Sequence, residues 1–185
     1  MRPLVWLGLL AGAVAASPCF QEQPASAKPA INAEAIVNEW LKRLNALAEW
    51  TTGGPGDAVD HMTELYDPSV LLFVGPNENQ IGPVTYSGME GIRRWADNFA
   101  HLYSKSEFRV QVETSNVKTA GLLHTVQPPW GGLSIGVELG AYYTRRKDHR
   151  KFAAPGALFL EVNDSGKIRR AHIYLETDQT VEITP

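Results

Sequence analysis

The sequence predicts an α+β domain in which about three N-terminal helices pack on a curved, mainly antiparallel sheet. Two patterns carry this expectation. Apolar residues recur at helical spacing in most of the chain up to Leu102, and beyond Ser104 the patterned runs are all β-compatible. Helices segregated from a series of strands make an α+β architecture. Composition agrees: 185 residues at 44% hydrophobic and 20% charged suit one domain with a buried core.

The first residues read as a targeting segment. Arg2 supplies a positive start, Leu4–Ala16 is an uncharged apolar run, and Ala13-Val14-Ala15 offers small residues for a signal peptidase. The run is short for a bilayer span. Residues 1–16 are therefore expected to be a signal peptide, 17–30 a disordered linker, and 31–185 the folded domain of an exported, periplasmic or extracellular protein. Cys19 is the only cysteine, so no internal disulfide forms. A lipid anchor there is disfavoured by Pro18 immediately before it. The net charge of −3, with no basic stretch beyond Arg145-Arg146-Lys147, argues against nucleic acid as a partner.

The elements follow in order. Asn32 is placed to cap a first helix whose buried stripe is Ile36, Val37, Trp40, Leu41, Leu44 and Leu47. The Gly53–Gly56 segment stops it. Asp57 is placed to cap a shorter helix, with Val59, Met62, Leu65 and Tyr66 on its apolar face and Asp67-Pro68 as its end. Val70–Val74 reads as a buried strand, Gly75–Pro83 as a loop, and Val84–Tyr86 as a short extended piece. Ser87 and Glu90 have the spacing of a capping box for a third helix, with Ile92, Trp95, Phe99 and Leu102 inward. Strands are expected around Phe108–Val112, Gly121–Val126, Leu133–Arg146, Phe152–Val162 and Lys167–Thr177. Asn163–Gly166 is a turn by composition.

Three local motifs carry a resemblance. Leu65-Tyr66-Asp67-Pro68-Ser69-Val70 looks like a short helix breaking into a first strand. Tyr86-Ser87-Gly88-Met89-Glu90-Gly91-Ile92 looks like a T-G-x-E-x-I helix start. Gly156–Val162, Gly166-Lys167-Ile168 and Tyr174-Leu175-Glu176 look like a final hairpin. Together, over roughly Ile31–Glu176, they resemble the SnoaL-like branch of the nuclear transport factor 2-like superfamily. That resemblance implies a conical cavity, cofactor-free isomerase, dehydratase or cyclase chemistry in some members, no chemistry in others, and a homodimer.

The resemblance also points to Glu176, where SnoaL-like cyclases commonly carry an acid. A carboxylate in an apolar cone has a raised pKa and is poised as a base. His172 and Tyr174 share its strand face by alternation, yet Ala171, Ile173 and Leu175 make the opposite face apolar. The same three residues thus suit either a catalytic set or a polar outer face. His124, on an expected central strand, is a further titrating candidate or a hydrogen-bonded strand histidine. Glu138 is either a partner acid facing inward or an outer-face residue. Tyr66, Tyr86 and Tyr142 could donate to an oxyanion or carbonyl. Trp40, Phe73, Trp95 and Phe159 line or fill the cavity.

Arg146-Lys147-Asp148 has the spelling of the epoxide hydrolase Arg-x-Asp. The expected hairpin turns there, however, around Asp148–Arg150, which makes a solvated charged tip and sets Tyr142–Thr144 opposite Ala154–Gly156. Pro128–Gly132, with Trp130 at its tip, reads as a lid or a dimer contact. The five histidines are scattered, so no metal or cofactor site is expected. Two functions remain open: an acid–base enzyme acting on a small apolar molecule, or an exported binding or interaction module without catalysis. The lining of the cavity distinguishes them.

Overall fold

The computed structural model describes residues 30–76, 82–110, 123–176 and 179–183. The targeting segment, Cys19 and nearly all of the linker lie outside the described residues, as do Val112 and the start of the expected Gly121–Val126 strand. Ile31–Pro185 form one compact unit.

Asn32 caps α1 (Ala33–Ala46) as expected, its side-chain oxygen accepting from Ala35 N at 3.0 Å. The helix buries Val37, Trp40, Leu41 and Leu44. After α2 (Asp57–Thr63), β1 (Tyr66–Val74) begins earlier than expected. Gly56 rather than Asp57 holds the cap position of α2, with no side-chain capping bond. Asp67-Pro68 does not end that helix. It forms an irregularity inside β1, where Asp67 accepts from Ser69 N at 2.9 Å and Ser69 Oγ at 2.6 Å. Proline lacks the N–H a regular ladder needs, so a bulge is where a strand tolerates it.

β2 (Val84–Ser87) leads directly into α3 (Gly88–Leu102), whose inward residues include Ile92, Trp95, Ala96 and Ala100. The capping box does not form: the Ser87 side chain makes no capping bond. Gly88 has φ +64, so the first residue of α3 is left-handed and the chain turns before the helix becomes regular. That turn takes the Ser87 hydroxyl out of line with the first-turn N–H groups.

The remaining strands are β3 (Tyr103–Val110), β4 (Leu123–Val126), β5 (Leu133–Arg145), β6 (Lys151–Val162), β7 (Ile168–Leu175) and β8 (Val181–Glu182). The order across the sheet is β2-β1-β7-β6-β5-β3. Among the described residues only β1 and β7 pair in parallel. β3 and β4 lie end to end along one edge of β5, pairing with its second half and first half respectively. β8 similarly continues the line of β7 along β6. Gly156 permits the close approach of β6 to β7: a Cβ there would lie 2.4 Å from the Tyr174 carbonyl oxygen.

The β5–β6 hairpin turns as expected, but its register differs. Tyr142 faces Ala153, Tyr143 faces Phe152, and Ala154–Gly156 face Leu139–Ala141. The turn is centred nearer Lys147, because Arg145 N bonds Arg150 O at 2.9 Å and His149 takes up φ 57. Asn163–Gly166 is the expected turn, with Asn163 Oδ1 accepting from Ser165 N and Lys167 N.

The three helices cover one face of the curved sheet. Leu72, Leu139, Leu158, Leu160, Ala171 and Ile168 are buried on that inner face. Each large aliphatic side chain so buried contributes about 1.5–3 kcal/mol.

Candidate functional site

A cavity of about 330 Å³ opens on the helix side of the sheet, where the parallel strands β1 and β7 end beside the C-terminal half of α3. Leu44, Val74, Trp95, Phe99 and Phe108 form much of its wall. Leu102, Tyr103, Ile173 and Leu175 complete the apolar part. Gly75 and Pro76, just beyond β1, border it, and the polar groups on it are those of Tyr86, Asn98, His101 and Tyr103. No carboxylate is among the described lining residues. Among the described residues there is also no cluster of His, Cys, Asp or Glu suited to a metal ion.

Of the candidate residues named from sequence, the cavity gathers Tyr86 and Trp95. Trp40 and Tyr66 are buried in the core, where Trp40 Nε1 donates to Tyr66 Oη at 2.8 Å. Burial pushes the Tyr66 phenol well above the ordinary tyrosine range, against a smaller lowering from Trp40.

The others lie on the opposite, outer face. His172 pairs across the sheet with Phe73 on β1 and Phe159 on β6, and Gly136 opposite Phe159 carries the row on to His124. Phe73, His172, Phe159 and His124 therefore form one cross-strand row. The Phe73 and His172 rings stack at 4.4 Å, and His172 Nδ1 lies 3.4 Å from Tyr174 Oη. Partial burial lowers the His172 pKa, with Arg170 adding to that and Glu161 opposing it.

Glu138 and Tyr142 are exposed on the same outer phase of β5, Tyr142 beneath the Arg109 guanidinium at 4.7 Å. Glu176 follows β7 in the exposed phase. Its backbone N–H donates to Pro155 O at 2.9 Å, but the side chain does not line the cavity. Ile173 and Leu175 point inward instead, because the apolar phase of β7 is the one that packs under the helices.

Two loop readings also resolve. Arg146 is not part of a solvated tip. Its guanidinium lies 3.9 Å from the Trp50 ring and donates to Ala100 O at 2.9 Å, Ala48 O at 3.2 Å and Trp50 O at 3.1 Å. Asp148 is instead bound by Arg145, which holds its carboxyl down at about 2. The Arg-x-Asp spelling thus makes no pair. Trp130 sits 5.9 Å from the Arg169 guanidinium, and Gly132 N donates to Asp164. This is the start of β7, whereas the cavity lies at its end, so Trp130 is not a lid.

The residues the pattern did not single out are Asn98, His101, Tyr103 and Phe108. Their signal was position: they lie on the last turns of α3 and on β3, the segment that doubles back beneath it.

No family model matches the chain, and no curated protein matches it by sequence. Solved structures do match. The epoxide hydrolase/cyclase-like enzyme SalBIII, of pyran ring formation in the polyether salinomycin, aligns at 15% identity and TM-score 0.56, covering 81% of this chain and 95% of its own. An NTF2-like protein of unknown function from Exiguobacterium aligns at 11% and 0.53, covering 76% and 98%. RV0760c from Mycobacterium tuberculosis, in complex with estradiol-17β-hemisuccinate, aligns at 12% and 0.55, covering 80% and 97%. Three helices on an unclosed curved sheet, with the cavity between them, make this chain a protein of the SnoaL-like, nuclear transport factor 2-like fold.

Proposed function

We propose that this is an exported binding protein whose cone cavity holds a small apolar molecule, without acid–base chemistry from the β7 residues. The observation that carries this reading is the lining. The wall is aliphatic and aromatic, the described lining residues include no carboxylate, and Glu176, His172, Tyr174 and His124 lie elsewhere. A concave apolar site with a few polar groups is the ordinary form of a small-molecule site, and about 330 Å³ falls in the usual size range. Among proteins of this fold, RV0760c holds a steroid ester and SalBIII is an enzyme, so the fold serves both uses. The lining favours holding over turnover. Export rests on the apolar N-terminal run with its small-residue site.

A second copy of the chain on the outer face belongs to the same reading. Val126, Phe159 and Tyr174 are 65%, 50% and 43% exposed there. An apolar patch of this kind suits association.

The test is calorimetric titration of a panel of apolar small molecules against the protein and two variants. Leu175→Trp, which puts a bulkier side chain on the cavity wall, is expected to abolish binding, and Glu176→Gln to leave it unchanged. A ligand that the protein converts, with conversion lost in Glu176→Gln, would overturn the reading.

A further inference from the structure

Resting on that reading of the cavity, we infer that Asn45 sets the size of ligand the cavity accepts, as a positioning residue that acts through Phe108. Asn45 does not line the cavity, whereas its neighbour Leu44 and Phe108 both do. Its side chain reaches from α1 to β3 and engages both backbone groups of one residue there. Nδ2 donates to Phe108 O at 3.1 Å, and Oδ1 accepts from Phe108 N at 2.8 Å. Ser106 Oγ donates to the same oxygen at 3.4 Å.

β3 stands at the end of the sheet order, and among the described residues it pairs only with β5. An edge strand presents backbone N–H and C=O groups that no neighbouring strand takes up. At Phe108 the Asn45 amide does what a further strand would do, donating to one backbone group and accepting from the other. Only an amide can do both. A carboxylate accepts without donating, and an aliphatic side chain does neither.

The consequence falls on the cavity wall. Val74, Ile173 and Leu175 lie on β1 and β7, strands held from both sides. Phe108 has such support from β5 on one side and from Asn45 on the other. Its buried ring packs against Phe99 at 5.8 Å, so the place of two wall residues depends on it. Without the amide this wall yields outward. A small ligand then loses contacts across the gap, and a larger one is admitted at less cost.

The experiment titrates the full chain with two neutral fluorescent probes of different size, 1-naphthol and N-phenyl-1-naphthylamine. In Asn45→Leu the affinity for 1-naphthol is expected to fall about fivefold, the worth of one ordinary hydrogen bond. Affinity for the larger probe falls less, so the ratio of the two shifts toward the larger body. Asn45→Asp keeps the acceptor and loses the donor, and is expected to shift the ratio the same way by a smaller factor. It carries the test if thermal melting shows Asn45→Leu to be unfolded. Tyr66→Phe, altered in the core at a residue that does not line the cavity, is expected to leave the ratio unchanged. An unchanged ratio in the folded Asn45 variants, or the same shift in Tyr66→Phe, would overturn the positioning role and leave the cavity standing. Binding of neither probe to the unaltered protein would overturn the cavity reading, and the role of Asn45 with it.

Discussion

Trp40 donates its indole N–H to the Tyr66 hydroxyl at 2.8 Å, with both rings buried between α1 and the start of β1. Two aromatic residues that sequence alone offers to a ligand are thus committed to each other. Tyr66→Phe removes the acceptor and leaves the buried indole donor without one. Such a group costs about 1–3 kcal/mol. Urea unfolding is expected to show a loss in that range, with ligand affinity unchanged. Trp40→Phe added to Tyr66→Phe should cost less than the two singles together, since each single strands the other's polar group.

Arg146 ties the β5–β6 hairpin to the ends of α1 and α3 through the carbonyls of Ala48, Trp50 and Ala100. Desolvation lowers its pKa, the mark of a cation drawn partly out of water. Arg146→Met keeps the stem and removes the donors, and is expected to lower stability by about 1–3 kcal/mol. Arg146→Lys should restore only part of this, because an ammonium on a flexible stem cannot reproduce the planar fork over the Trp50 ring. Full stability in Arg146→Met would show the three carbonyls to be satisfied by water.

The outer face provides the third prediction. Phe159→Glu places a charge at the middle of the row formed with Phe73, His172 and His124. If a second copy covers this face, sedimentation is expected to show the unaltered protein as a dimer and the variant as a monomer. Both should melt at similar temperatures in dilute solution, since the Phe159 ring is half exposed and anchors little of the core. A dimer in both would move the interface elsewhere, and a monomer in both would remove it.

How much was legible follows from the range of each signal. The helix of Ala33–Ala46 with its Asn32 cap, the Asn163–Gly166 turn and the strand-rich second half rest on residues a few positions apart, and these signals are strong in the sequence. Short-range spelling also misled where a neighbour intervened. Ser87 and Glu90 have the letters of a capping box, but Gly88 in a left-handed conformation turns the backbone between them. Asp67-Pro68 reads as a helix end and serves as a strand bulge, because β7 was there to pair with what followed.

The alternation of His172, Tyr174 and Glu176 with Ala171, Ile173 and Leu175 was visible from the start, and it defined two faces of one strand. Which face lay under the helices was a tertiary matter. Burial settled it in favour of Ile173 and Leu175, since apolar area gains most from leaving water. The cavity itself was beyond the sequence for a related reason. Leu44, Phe108 and Leu175 come from three elements far apart in the chain, and only the curvature of the sheet around α3 brings them to one wall. The sequence by itself determined the order of elements, their local caps and turns, and the two-faced character of each strand. The packing of helices against one side of a twisted sheet decided which of those faces borders the cavity and which is left on the outside.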